Sequence, residues 1–95
     1  MINSKQRAVL RKMANTMDPV IQVGKGGISE NIINETRREL FDKELVKIAV
    51  LRNVPESVRE ISDLIAGQTD ADVVQVIGRK FVLYKRNEEE PVIIL

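Results

Sequence analysis

Val23-Gly24-Lys25-Gly26-Gly27-Ile28-Ser29 joins an apolar, β-branched run, Val20-Ile21-Gln22-Val23, to the start of an amphipathic helix. A strand that passes through a short loop into a helix is half of a β-α-β unit, so this junction points to an α/β fold. Three glycines in four positions let the backbone take positive φ and come close to a ligand. Ser29 is placed to accept from the first free N–H groups of the helix, and Glu30 complements its dipole. Ile28 and Ile33 have the spacing of a hydrophobic staple, which sets the angle at which the loop leaves. A glycine-rich turn at a helix N-terminus, with Lys25 at its tip, suits phosphate oxygens. The same residues also fit a tight connection that needs glycine for geometry alone. Neither common nucleotide fingerprint matches: the spacing is not GxGxxG, and no Lys-Ser or Lys-Thr stands where a P-loop needs it. What remains is a four-residue Gly-x-x-Gly.

On the N-terminal side, Leu10, Met13, Ala14 and Met17 fall at i, i+3, i+4 and i+7. They predict an amphipathic helix from Ser4 to Met17 with these residues on its buried stripe. Arg7 and Arg11 share one flank and Lys5 and Lys12 another, so all four bases are expected to face outward. Asp18-Pro19 ends the helix, and a short strand follows over Val20 to Val23. Beyond the loop, a second helix is expected over Glu30 to Asp42, with Ile32, Ile33, Thr36, Leu40 and Phe41 inward. Arg37 and Arg38 lie two turns past the loop, either within reach of the same ligand or paired with Glu35 and Glu39.

Glu44 to Leu51 alternates with a period of two and reads as a strand, one face apolar and the other interrupted by Lys47. A third helix is capped near Pro55 or Ser57, carries Val58, Ile61, Leu64 and Ile65 inward, and stops at Gly67. Asp72 to Ile77 and Lys80 to Arg86 form a hairpin about Gly78-Arg79. An unbroken register pairs Val76 with Phe81, Val74 with Leu83, and Asp72 with Lys85. The second sheet face is then partly open or covered by the first helix. Pro91 to Leu95 is an edge strand or a loosely held tail. The order α-β-α-β-α-β-β implies a small two-layer α/β sandwich with a mixed four-stranded sheet and a right-handed parallel crossover.

Ninety-five residues make one small domain, and an apolar share of 43% favours a packed core over disorder. The chain has no cysteine and no histidine, which removes thiol chemistry, the usual zinc sites and any imidazole relay. No pair of carboxylates has a spacing that calls for acid–base work, so the expectation is a protein that is not an enzyme and needs no cofactor, metal or small-molecule substrate. No run is long enough to span a membrane and no signal-peptide region is evident, which points to the cytoplasm. Net charge is only +1, but residues 1–27 hold Lys5, Arg7, Arg11, Lys12 and Lys25 against the single acid Asp18. A basic first quarter of this kind presents a surface to an anion, unless it is a solvated face with counter-charges nearby.

Five blocks then act together: Lys5-Gln6-Arg7-x-x-Leu10-Arg11-x-x-Ala14, Pro19-x-x-Gln22-Val23, Gly24-Lys25-Gly26-Gly27, Glu44-Leu45-Val46-Lys47, and Val74-Gln75-Val76-Ile77-Gly78-Arg79-x-x-Val82-Leu83-Tyr84. In order and spacing they resemble the YhbY-like proteins, the stand-alone bacterial form of the CRM (chloroplast RNA splicing and ribosome maturation) domain, over about residues 4 to 86. The family pattern commonly has histidine where this chain has Asn15, which cannot titrate near neutrality. The resemblance implies one CRM domain over residues 1–95, with 87–95 a short extension, and a fold similar to the C-terminal domain of translation initiation factor three. It implies binding of RNA, namely ribosomal RNA of the large-subunit precursor, through Gly24, Lys25, Gly26 and Gly27. Lys5, Arg7, Arg11, Lys12, Arg37 and Arg38 are the candidate surrounding bases. A general RNA chaperone and a module docking a ribosomal protein are the alternatives. KH domains use a GxxG loop to hold a nucleotide backbone, but there it joins two helices. The physical device is similar on a different scaffold.

Overall fold

The structure, a computed structural model, describes residues 2–95. Its elements are α1 (Ser4–Ala14), β1 (Ile21–Val23), α2 (Glu30–Lys43), β2 (Leu45–Val50), α3 (Val58–Thr69), β3 (Asp72–Ile77) and β4 (Lys80–Tyr84), in the expected order. The sheet runs β1-β2-β4-β3, with β1 parallel to β2 and β4 antiparallel to both its neighbours. The α/β sandwich with a mixed four-stranded sheet is therefore what the chain adopts.

The alternation of β2 explains how the layers assemble. Val46, Ile48 and Val50 face one side with Ile21, Val23, Phe81 and Leu83, and Ile33 and Leu40 of α2 and Ile61 and Ile65 of α3 pack on them. Leu45, Val82 and Tyr84 face the other side, where Leu10 and Ala14 of α1 cover them. The sheet and the α2–α3 layer are thus joined by a single helix on the second face. Lys47, the polar interruption on that face, donates from Nζ to the Ala14 carbonyl at 3.1 Å. A cation there satisfies a free carbonyl and complements the helix dipole.

Several local expectations change. α1 ends at Ala14 rather than Met17, and Met13 is exposed. Its start is fixed by Asn3, whose side chain accepts from the Gln6 N–H at 2.8 Å while Gln6 Oε1 accepts from the Asn3 N–H at 3.0 Å, a capping box. α3 runs through Gly67 to Thr69 and stops at Asp70, whose φ of 58° is left-handed. Leu64, expected inside, is 52% exposed, and Ser62 and Thr69 are buried instead, each returning its hydroxyl to a carbonyl one turn back. In the hairpin a β-bulge displaces the register: Val73 pairs with Leu83, Gln75 with Val82 and Asp72 with Tyr84, and Val74 is the extra residue. Val74 consequently packs on the α1 side.

A candidate nucleic-acid interface at one end of the sheet

Because β1 and β2 are parallel, both leave the sheet at the same end and both feed a helix there. The Gly24–Gly27 segment is a β-turn closed by Gly27 N–H donating to the Gly24 carbonyl at 2.8 Å. Gly27 sits at φ +68°, where a side chain would be strained, so this glycine is required by the turn. Gly26 is required neither by packing nor by a positive φ: a Cβ built there meets nothing within 4 Å. Lys25 and Gly26 form the exposed tip, and their N–H groups have no acceptor among the described residues. Ser29 caps α2 by accepting from the Ile32 N–H at 3.2 Å. Ile28 and Ile33 both pack into the main core, as the staple spacing predicts. The turn is thus anchored at its base and open at its tip.

Nine of the ten candidate residues fall on three surfaces, and the tenth, Arg7, turns inward. Lys25 and the glycines are at the sheet end. Lys5, Arg11 and Lys12 are exposed on α1, over one face of the sheet. Arg37 and Arg38 are exposed on α2, over the other face, about 12 Å along the helix from its start at 1.5 Å per residue. Lys47, which grips the end of α1, precedes Leu51 by four residues. That is roughly 13 Å of strand between the level at which α1 ends and the end of β2 beside the turn.

Two of the bases have internal partners. Arg7 does not point away from the core: its Nη1 donates to the carbonyls of Val73 and Val74, the latter at 3.1 Å, bracing the bulge of β3. Arg37 donates to the Gln68 carbonyl at 2.8 Å, near the end of α3, and to Asn34 Oδ1 at 3.3 Å. Glu39 pairs with Lys43 at 3.3 Å rather than with either arginine.

The chain matches the CRS1/YhbY (CRM) domain family over residues 2–85. It belongs to the CRM family. Its relatives include the probable RNA-binding protein YqeI of Bacillus subtilis, 36% identical over 94% of this chain and 93% of that protein. An RNA-binding protein of Haemophilus influenzae is 33% identical over 93% and 89% respectively. A hypothetical protein of Staphylococcus aureus, solved in solution and described as a candidate RNA binder, superposes with a TM-score of 0.84 and is 38% identical, covering 100% of this chain and 99% of its own.

The sequence reading of this CRM domain missed two features near the sheet ends. The first is Arg79, whose Nε donates to the Val50 carbonyl at 3.2 Å and whose Nη2 donates to the Leu51 carbonyl at 2.5 Å. It ties the β3–β4 turn to the segment leaving β2. The second, at the opposite end, is Glu44. Its carboxylate is fully buried and accepts the backbone N–H groups of Asn87, Val92 and Ile93 at 2.6, 2.7 and 2.6 Å. Burial alone would raise its pKa, but the three N–H donors, helped by Arg86, outweigh it and hold the carboxyl below its usual value. The C-terminal segment is therefore neither an edge strand nor a loose tail but a strap on one carboxylate.

Aromatic stacking has little to offer near the turn. Tyr84 is buried in the α1-side core, where burial first and the Glu44 charge second push its hydroxyl above the usual tyrosine value. Phe41 turns outward, 62% exposed, contrary to its expected place inside. It lines a cavity of about 370 Å³ with Arg37, Thr69, Lys85 and Asn87, next to the strap and away from the glycines.

Proposed function

We propose that this CRM domain, spanning residues 1–95 with 87–95 as its extension, is a ribosome-assembly factor. It binds RNA of the large-subunit precursor in the cytoplasm and does no chemistry on it. The observation that carries the reading is the Gly24–Gly27 turn: anchored at its base, open at its tip, with Lys25 facing solvent and the Lys25 and Gly26 N–H groups unpaired among the described residues. Peptide N–H groups that close to the surface can meet phosphate oxygens directly. Membership of the CRM family and the RNA-binding names of its relatives support an RNA partner. The resemblance to YhbY-like proteins supports the ribosomal one.

The RNA path runs from the turn over the α1 face, past Arg11 and Lys12 to Lys5. Arg38 stands at an outer margin on α2, while Arg7 and Arg37 shape the surface from their internal hydrogen bonds. With one exposed aromatic ring far from the turn, recognition depends on backbone and shape more than on stacked bases. Crosslinking in growing cells tests the ribosomal assignment. Crosslinks concentrated on large-subunit precursor RNA are expected; an even spread over unrelated transcripts makes the protein a general chaperone. An association with ribosomal particles that survives RNA digestion points instead to a protein dock.

A further inference from the structure

A second β-turn stands beside the glycine turn and repeats its plan. Val23 pairs with Val50, so Gly24 and Leu51 leave the sheet side by side, and the Leu51 N–H donates to the Val23 carbonyl at 2.9 Å. Leu51-Arg52-Asn53-Val54 is closed by Val54 N–H donating to the Leu51 carbonyl at 3.2 Å, as Gly27 N–H donates to Gly24 at 2.8 Å. Each turn carries a base at its second position, Lys25 in one and Arg52 in the other. Each is anchored by an apolar residue packed into the core, Ile28 and Val54, and each runs into a serine helix cap, Ser29 and Ser57. The turns are neighbours: a Cβ added to Gly24 would stand 3.5 Å from Leu51 Cδ1.

Arg52 is exposed and takes part in none of the ion pairs found among the described residues. Its turn is held by Arg79, whose guanidinium binds the carbonyls of Val50 and Leu51 immediately before it. Neighbouring strands are about 4.8 Å apart, so the two turns leave the sheet close together and their long Lys25 and Arg52 side chains start from adjacent strand ends. Arginine, with its planar fork of donors, is suited to such an oxyanion.

We propose that Arg52 is a second phosphate-binding base of the RNA site, acting beside Lys25, and that Arg79 is the positioning residue that holds its turn. This rests on the RNA-binding reading above and adds residues that reading does not contain. Phosphate contacts carry no sequence information, so a labelled single-stranded oligouridylate is a sufficient probe. Arg52→Gln is expected to weaken its binding about three- to fivefold, the range of one exposed charge contact. It should also flatten the log–log salt dependence by about 0.7, one phosphate on a single strand. Arg79→Met should weaken binding while Arg52 is present and add nothing in the Arg52→Gln background. A contact made by Arg79 itself, or a general loss of structure, would weaken both backgrounds alike and remove Arg79 from the proposal. Wild-type affinity and salt slope in Arg52→Gln, in a protein that still loses RNA on Gly26→Asp, would overturn the role of Arg52 and leave the glycine turn intact. Undiminished binding by Gly26→Asp would instead remove the glycine turn from the RNA site, and with it the reading on which this proposal rests.

Discussion

The two ends of the sheet meet the same physical problem, peptide N–H groups and an anion, and solve it in opposite ways. At the end where β2 begins, the anion is built in: Glu44 lies buried and three N–H groups of the C-terminal strap close around it. At the end where β1 finishes, a glycine turn presents N–H groups that find no acceptor among the described residues. The first end is closed and serves stability, since a buried carboxylate is tolerable only when its lone pairs are satisfied. The second stays open and can serve an outside anion. Surface charge alone would not separate them, because bases occur at both.

The sharpest way to break the comparison is to put an internal anion at the open end. Gly26→Asp does so without strain, since a Cβ there meets no atom within 4 Å and the backbone is not at positive φ. A side chain then stands where phosphate must approach, and its charge opposes the ligand. RNA binding is expected to vanish even at low salt, with the thermal melt unchanged. Retained affinity in the folded variant would reduce the turn to a connection. Gly27 is the wrong choice for this test, because its φ of +68° would confuse strain with function.

Next in size is the loss of the built-in anion. Glu44 ends α2 at φ +66°, a backbone angle that favours glycine, so its carboxylate must outweigh the backbone cost. Glu44→Gln turns one acceptor oxygen into a donor facing an N–H, and should cost about 2–3 kcal/mol with lost exchange protection at Val92 and Ile93. Glu44→Gly should also destabilise the fold, although it relieves the backbone. The pH dependence follows from the lowered pKa. Stability from Glu44 is complete above its usual value of 4.5 and is lost as pH falls through the lower value of the folded state. The acid limb of the stability curve should therefore flatten in Glu44→Gln; an unchanged limb would mean the strap does not depend on the charge.

This contrast between the ends was only half legible in the sequence. The glycine turn announces itself because its glycines, staple and cap are all local. Element order and sheet composition were legible for the same reason, since periodicity is local too. Glu44 gives no such sign: it looks like one more surface acid between a helix and a strand, and its partners are more than forty residues away. The bulge at Val74 was hidden because adjacent Val73 and Val74 offer an apolar residue to either face, and only packing against α1 shows which residue is extra. Phe41 and Leu64 misled for the opposite reason: both fit the helical stripe, but α2 buries a narrower face than the stripe suggests, and the buried face of α3 is rotated toward Ser62, Ala66 and Thr69.

The two arginines of α1 offer a smaller test. By spacing they look equivalent, one turn apart on one flank. In the structure Arg7 donates to two carbonyls at the β3 bulge, whereas Arg11 is exposed. Arg7→Gln should lower stability by about 1–2 kcal/mol, the usual effect of losing a charged donor to buried carbonyls. Arg11→Gln should leave the melt unchanged and weaken RNA binding alike for all sequences, with a shallower salt slope. Equal melts for the two variants would mean the Arg7 bonds contribute nothing net in solution.

The smallest expected effect separates charge from geometry inside the open end. Lys25→Ala removes the cation at the turn tip but keeps Gly24, Gly26 and Gly27, so the turn bond from Gly27 to Gly24 and the exposed N–H groups persist. One solvent-screened contact is worth about 1 kcal/mol or less, so affinity should fall only a few-fold. The salt slope should fall by about 0.7, because one fewer phosphate is neutralised. Together with Gly26→Asp this divides the site into its parts. If the backbone carries recognition, the glycine variant abolishes binding while the lysine variant merely weakens it. A loss on Lys25→Ala as complete as on Gly26→Asp would show the reverse: the glycines only present the lysine, and the open N–H groups of the turn do not hold the phosphate.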